Sequence, residues 1–207
     1  MERVFLMVSR QELKSRAKAQ LGSGIFTSRW MMALLACLLY SLIVGVSSIV
    51  AIIVIGPMSY GLNRMFLKQA RDGEDMAIGD LFKGFSDDFA GTFLIGLMTA
   101  IFTFLWSLLF VIPGIVKAYA YSLAYYVKVD HPEYDWKACI EESKRLTQGH
   151  KGELFVLDLS FIGWYFVGAL CLGIGTMWVT PYYYATKAHF YQNLLLAQAP
   201  AEPYTAE

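Results

Sequence analysis

The chain has 207 residues, of which 57% are hydrophobic, 15% aromatic and only 16% charged, with 17 basic and 17 acidic side chains. Soluble domains run to about 45–50% apolar and about 25% charged, so a water-soluble globule is disfavoured, and the zero net charge argues against nucleic acid as a partner. Three scattered cysteines (Cys37, Cys139 and Cys171) make no disulfide framework.

In chain order, residues 1–29 read as a cytoplasmic N-terminal segment with an amphipathic helix over Arg10–Leu21. Leu13, Ala17 and Leu21 share one face of it, and Lys14 and Lys18 another. That helix is expected on the membrane surface, its cations near anionic headgroups. The apolar run that follows is longer than the core of a signal peptide and is expected to stay as an anchor.

Residues 30–196 read as one transmembrane helical domain. No charge falls between Trp30 and Asn63 or between Phe89 and Val116, and Asp158 is the single charge from Leu154 to Thr186. A bilayer-spanning helix needs about 20 apolar residues, so each run is long enough to span. Each run meets a proline: "VIGP" ends at Pro57, "VIPG" holds Pro113 and Gly114, and "WVTP" ends at Pro181. Proline breaks the helical ladder and suits the first turn of a new helix, and Gly56 and Gly114 beside it permit a tight turn. Gly56, Pro57, Pro113, Gly114 and Pro181 are therefore expected at turns.

Lys and Arg decide between a kink and a turn. Six precede Trp30, four lie in 64–88, six in 117–153 and one beyond. If every proline turns the chain, nearly all of these fall on one side, and cytoplasmic loops carry the excess of Lys and Arg. The expected fold is all-α: a polytopic membrane bundle of about six spans, built as three proline-turned helical hairpins, with both termini cytoplasmic. The segments after the prolines are short for this, with about 12–16 apolar-compatible residues against a hydrocarbon core of about 30 Å.

The loops "AIGDLFKGF" (Ala77–Phe85) and "DWKACIEESKRLTQGHK" (Asp135–Lys151) read as short interfacial amphipathic helices, with Gly84 and Gly149 as C-caps. Residues 197–207 read as a disordered tail.

These strings resemble a known family, an uncharacterised group of bacterial polytopic membrane proteins, domain-of-unknown-function family 975. The resemblance rests on "GPMSYG" (Gly56–Gly61), "DLFKGF" (Asp80–Phe85), "LWSLLFVIPGIVKAYAYS" (Leu105–Ser122), "ESKRLTQGHKGELFVLDLSFIGW" (Glu142–Trp164) and "PYYYATKAHFYQNL" (Pro181–Leu194). It implies an integral protein of the bacterial plasma membrane, and no reaction, ligand or catalytic residue.

Charges inside a span are expensive and each marks a candidate site. Arg64, Lys117 and Lys187 follow their prolines by seven, four and six residues. If the prolines are turns, all three lie one to two helical turns below the outer surface. There they form a candidate cationic cluster for an anionic ligand or lipid phosphate, with Tyr121 and Tyr191 one turn on from Lys117 and Lys187. With a turn near Thr180, Asp158 and Lys187 differ in height by about 22 Å. The expected partner of Asp158, as a buried charge, is then Lys68 or Lys128.

The histidines (His131, His150 and His189) lack metal-ligand spacing, and no nucleophile elbow, zinc-protease or phosphate-loop motif is present, so no metal, cofactor or catalytic residue is expected. The expected function is that of a non-catalytic membrane protein, a scaffold, accessory subunit or envelope-stress factor working through lipid and protein contacts. Its expected partners are membrane lipids and either a second copy or another membrane protein. The alternative is a transporter or flippase for an anionic amphiphile that uses the cationic cluster.

Overall fold

The computed structural model describes residues 9–21, 27–45, 48–170 and 174–198, so Cys171 and almost all of the tail read as disordered lie outside the described residues. Helices run over α1 (Arg10–Leu21), α2 (Ser28–Gly45), α3 (Ser48–Asp72), α4 (Lys83–Ser86), α5 (Phe89–Leu109), α6 (Val111–Tyr121), α7 (Ala124–Asp130), α8 (Trp136–Leu146), α9 (Lys151–Leu170) and α10 (Ile174–Gln198). A 3-10 turn over Ile78–Phe82 precedes α4, and no strand occurs among the described residues. The all-α class holds.

Three helical hairpins are present: α2 packs on α3, α5 on α6 and α9 on α10. The first and third reversals are not where Pro57 and Pro181 place them. Pro57 lies inside α3 and Pro181 inside α10. Pro113 lies in the first turn of α6, after a one-residue connection at Phe110. The chain therefore reverses before each proline, and Pro57 and Pro181 are absorbed into long helices whose neighbours pack around them. An interior proline costs about 3 kcal/mol against alanine in an exposed helix, and both of these are buried.

Gly56 and Gly114 are likewise not turn residues. A Cβ on Gly56 would sit 2.6 Å from the Thr92 carbonyl oxygen of α5, and one on Gly114 would sit 2.7 Å from Ser107 Cα. Both glycines let helices approach closely, the role small residues play between membrane helices. Gly175 does the same in the third hairpin, where its Cβ would lie 2.7 Å from Gly168 Cα.

The apolar face of α1 (Leu13, Ala17 and Leu21) is buried against α10 rather than laid on lipid. The "DLFKGF" segment is a 3-10 turn plus one turn of helix docked on α3, and Gly84 is not a cap but a contact point against Pro57. Gly73 and Gly149, with φ of 68° and 85°, close α3 and the α8–α9 connection in the left-handed region that glycine favours.

Asp135 caps α8, its carboxylate accepting from the Ala138 N–H at 2.7 Å. The helix continuing α6 breaks at Ser122–Leu123, and α8 repairs the break. The fully buried Ser143 hydroxyl donates to the Ala120 carbonyl at 2.8 Å and accepts from the Leu123 N–H at 3.2 Å. Ser143→Ala strands two buried backbone groups, each costing about 1–3 kcal/mol. Its melting temperature in detergent is expected to fall clearly below that of Ser86→Ala, an exposed control. Equal melting of the two would show that the bridge contributes nothing.

Buried side chains gather at one end of the molecule, where the loops and α1 meet α3, α7, α8 and α10. Away from it, the described apolar residues at the tip of the α5–α6 hairpin and most of those in the far half of α9 are bare. α5 and α9 are long and apolar enough to cross a membrane, and only 11% and 22% of their apolar windows are buried.

Candidate functional site

With α9 ending at Leu170 and α10 beginning at Ile174, rather than a turn near Thr180, Asp158 lies 12 residues before the one helix end and Lys187 13 after the other helix start. Their charges interact across the α9–α10 hairpin. The Tyr119 and Tyr183 hydroxyls also act on the Asp158 carboxylate. Lys187 Nζ donates to the Tyr183 hydroxyl at 3.0 Å and lies 5.2 Å from that ring's centroid. Asp158 Oδ1 is buried and makes no hydrogen bond. The inference that depth separates Asp158 from Lys187 is overturned, because it depended on the misplaced turn. Lys68 instead pairs with Glu74 at 3.3 Å and Asp80 at 3.8 Å, and Lys128 pairs with Asp88 at 2.6 Å.

The three candidate cations do not come together. Arg64 lies far down α3 from the first turn, where it reaches Asp87 at 3.0 Å, Asp80 at 3.9 Å and the Tyr60 hydroxyl at 3.2 Å. Lys187 is matched by Asp158. Lys117 alone of the three has no carboxylate partner among the described residues; its ammonium lies 4.8 Å from the centroid of Trp106. Tyr121 interacts with Trp106, and Lys144 of α8 lies 5.5 Å from the centroid of the Tyr121 ring. These four side chains form a cation–aromatic row across α5, α6 and α8, and desolvated cation–π contacts are worth up to about 2 kcal/mol.

Tyr191 belongs elsewhere. Its hydroxyl donates to Asp130 at 2.8 Å, its ring stacks on Tyr126 at 5.2 Å, and Asp130 also accepts a two-pronged contact from Arg71 at 2.8 and 3.0 Å. That arrangement ties α3, α7 and α10 together and leaves Tyr191 no free hydrogen for an anion.

Lys128 is a structural centre the sequence does not announce. It is 2% exposed, and its ammonium donates to the carbonyls of Pro132 at 2.9 Å and Tyr134 at 2.7 Å as well as to Asp88. Burial pushes the Asp88 carboxyl up, but the hydrogen bond and charge of Lys128 and the Gly91 N–H outweigh it, so Asp88 sits below the usual carboxylate range. Asp88 also caps α5, and its place just before an apolar run is the one sequence signal that could have drawn attention to it.

Among the described residues, no group of His, Cys, Asp and Glu is arranged to hold a metal ion. No curated protein and no solved structure matches the chain. Residues 108–198 match the model of a family described as protein of unknown function (DUF975), which is the family the strings from Leu105 onward resemble.

Proposed function

We propose that the chain is a non-catalytic integral membrane protein of the bacterial envelope, acting as a scaffold, accessory subunit or envelope-stress factor through lipid and protein contacts. Both termini and the charged loops lie on the cytoplasmic side in this reading, as the Lys and Arg distribution favours. The observation that carries it is the bare apolar surface. Leu108, Val111, Ile112 and Leu170 are each 70% exposed or more, and soluble monomers rarely show contiguous apolar patches beyond a few hundred Å². If every hairpin reached the far surface, the chain would cross six times.

The dispersal of Arg64, Lys117 and Lys187, with Arg64 already paired to Asp87 and Asp80 and Lys187 in the field of Asp158, favours the scaffold over the flippase for an anionic amphiphile. The test is alkaline carbonate extraction followed by complementation of a deletion strain. The protein is expected to stay with the membrane pellet. A Lys117→Gln/Lys187→Gln/Asp158→Asn variant, which strands no charge, is expected to insert and complement normally. A variant that inserts but does not complement would favour the flippase, and extraction by carbonate would end the membrane reading.

A further inference from the structure

We propose that the α5–α6 and α9–α10 hairpins are re-entrant: they enter the cytoplasmic leaflet, stop near the bilayer midplane, and return without reaching the far surface. The proposal rests on the membrane reading above and revises its count of crossings.

The first observation is the depth of the charges. Lys144, at the end of the polar-faced α8, lies against Tyr121, the last residue of α6. From Tyr121 to Val111 at the apex are ten residues, a rise of about 15 Å at about 1.5 Å per residue. The third hairpin repeats this with different residues. Lys14 of α1 donates to the Ser160 carbonyl at 3.4 Å and lies 4.4 Å from the centroid of Phe161. From Ser160 to Leu170 are again ten residues, about 15 Å. A Lys ammonium stays in water or among headgroups. Each hairpin therefore has about 15 Å left beyond its entry surface, half of a hydrocarbon core of about 30 Å.

The second observation is the chemistry of the apex. A hairpin that emerges into water shows polar residues at its turn. Here Leu108, Leu109, Phe110, Val111 and Ile112 are all between 65% and 75% exposed, and none is polar. The backbone is also suited to an anhydrous site, where unmet polar groups cost several kcal/mol. One residue connects the helices, the Phe110 N–H donates to Trp106 at 3.1 Å, and the Phe110 carbonyl accepts from Gly114 at 3.2 Å. Pro113 has no N–H to satisfy, which removes one of the donors a helix start leaves unmet.

The third observation is the collar. Lys14, Lys117 and Lys144 take part in no ion pair among the described residues. Lys14 and Lys144 stand at the base of the apolar tips, where anionic headgroups supply the complementary charge. Lys117 lies one helical turn nearer the apex than Tyr121, its ammonium held 4.8 Å from the centroid of the Trp106 ring.

Depth-dependent quenching tests this. Single-cysteine variants Phe110→Cys and Leu170→Cys, made with Cys37→Ala, Cys139→Ala and Cys171→Ala, carry a bimane fluorophore in phosphatidylglycerol–phosphatidylethanolamine vesicles. Both sites are exposed, so the variants keep the packing, and Asp72→Cys serves as the aqueous control. Quenching of both apices is expected to be strongest with lipids brominated near the chain end, with neither site reached by an impermeant maleimide from outside intact cells. Strongest quenching by bromines near the headgroup, or labelling from outside, would mean the hairpins cross and would overturn the proposal while leaving the membrane reading intact. Failure of the protein to float with the vesicles would overturn both.

Discussion

Gly61→Ala and Gly84→Ala are each expected to destabilise the protein by about 2 kcal/mol or more, against the direction that helix propensity alone dictates. The two glycines lie in the strings "GPMSYG" and "DLFKGF", which dock on each other. A Cβ on Gly61 would collide with the Leu81 carbonyl and come within 2.7 Å of the Asp80 oxygen. A Cβ on Gly84 would collide with the Pro57 carbonyl and lie 2.7 Å from Pro57 Cα. Alanine gains about 1 kcal/mol over glycine in a helix. Overpacking costs about 1–3 kcal/mol and more where nothing can yield. The colliding atoms are backbone on both sides, and the Thr92 hydroxyl, donating to the Gly84 carbonyl at 3.1 Å, fixes the loop further. Thermal unfolding in detergent, followed by thiol-reactive dye, measures the effect. Gly79→Ala in the same loop meets nothing within 4 Å and is expected to melt like the parent. If Gly61→Ala melted like Gly79→Ala, the close docking of the two strings would be wrong.

The helical class and the amphipathic faces of α1 and α8 were legible because each depends on residues a few positions apart. The hairpin turns were not. A proline reads as a breaker from its local chemistry, yet whether it opens a helix, as Pro113 does, or is buried inside one, as Pro57 and Pro181 are, depends on the helices packed around it. One misplaced turn then moved other residues. With α10 beginning at Ile174, Asp158 stands at the level of Lys187, and with α3 beginning at Ser48, Arg64 falls at the level of Asp80 and Asp87. Gly56 and Gly114 were singled out correctly as special but for the wrong reason, since a glycine at a turn and a glycine at a helix crossing look alike in one dimension. Lys128 reads in sequence only as a partner for Asp158, because its actual partner Asp88 is 40 positions away and two of its acceptors are backbone carbonyls.

Removing the Lys128 ammonium is the second change expected to have a large effect. An ammonium has three donors, and here each has an acceptor: Asp88, Pro132 and Tyr134. Lys128→Ala leaves both carbonyls unmet and Asp88 unpaired. Breaking a buried pair from one side costs about 3–5 kcal/mol. The Asp88 side chain is 38% exposed and can rehydrate, which puts the expected loss at the lower end, about 3 kcal/mol. The pH dependence identifies the cause. Because the folded state holds the Asp88 carboxyl below its ordinary value, its contribution is present above the unfolded value of about 3.9 and is lost as pH falls through the lower folded value. The stability gap between parent and Lys128→Ala is therefore expected to be constant from neutral pH to about pH 5 and to narrow below about pH 4. Lys128→Met/Asp88→Asn, which removes both charges and keeps the volume, is expected to recover part of the loss. A gap that stayed constant to low pH, with no recovery in the double variant, would assign the loss to packing around the lysine stem instead of to the ion pair.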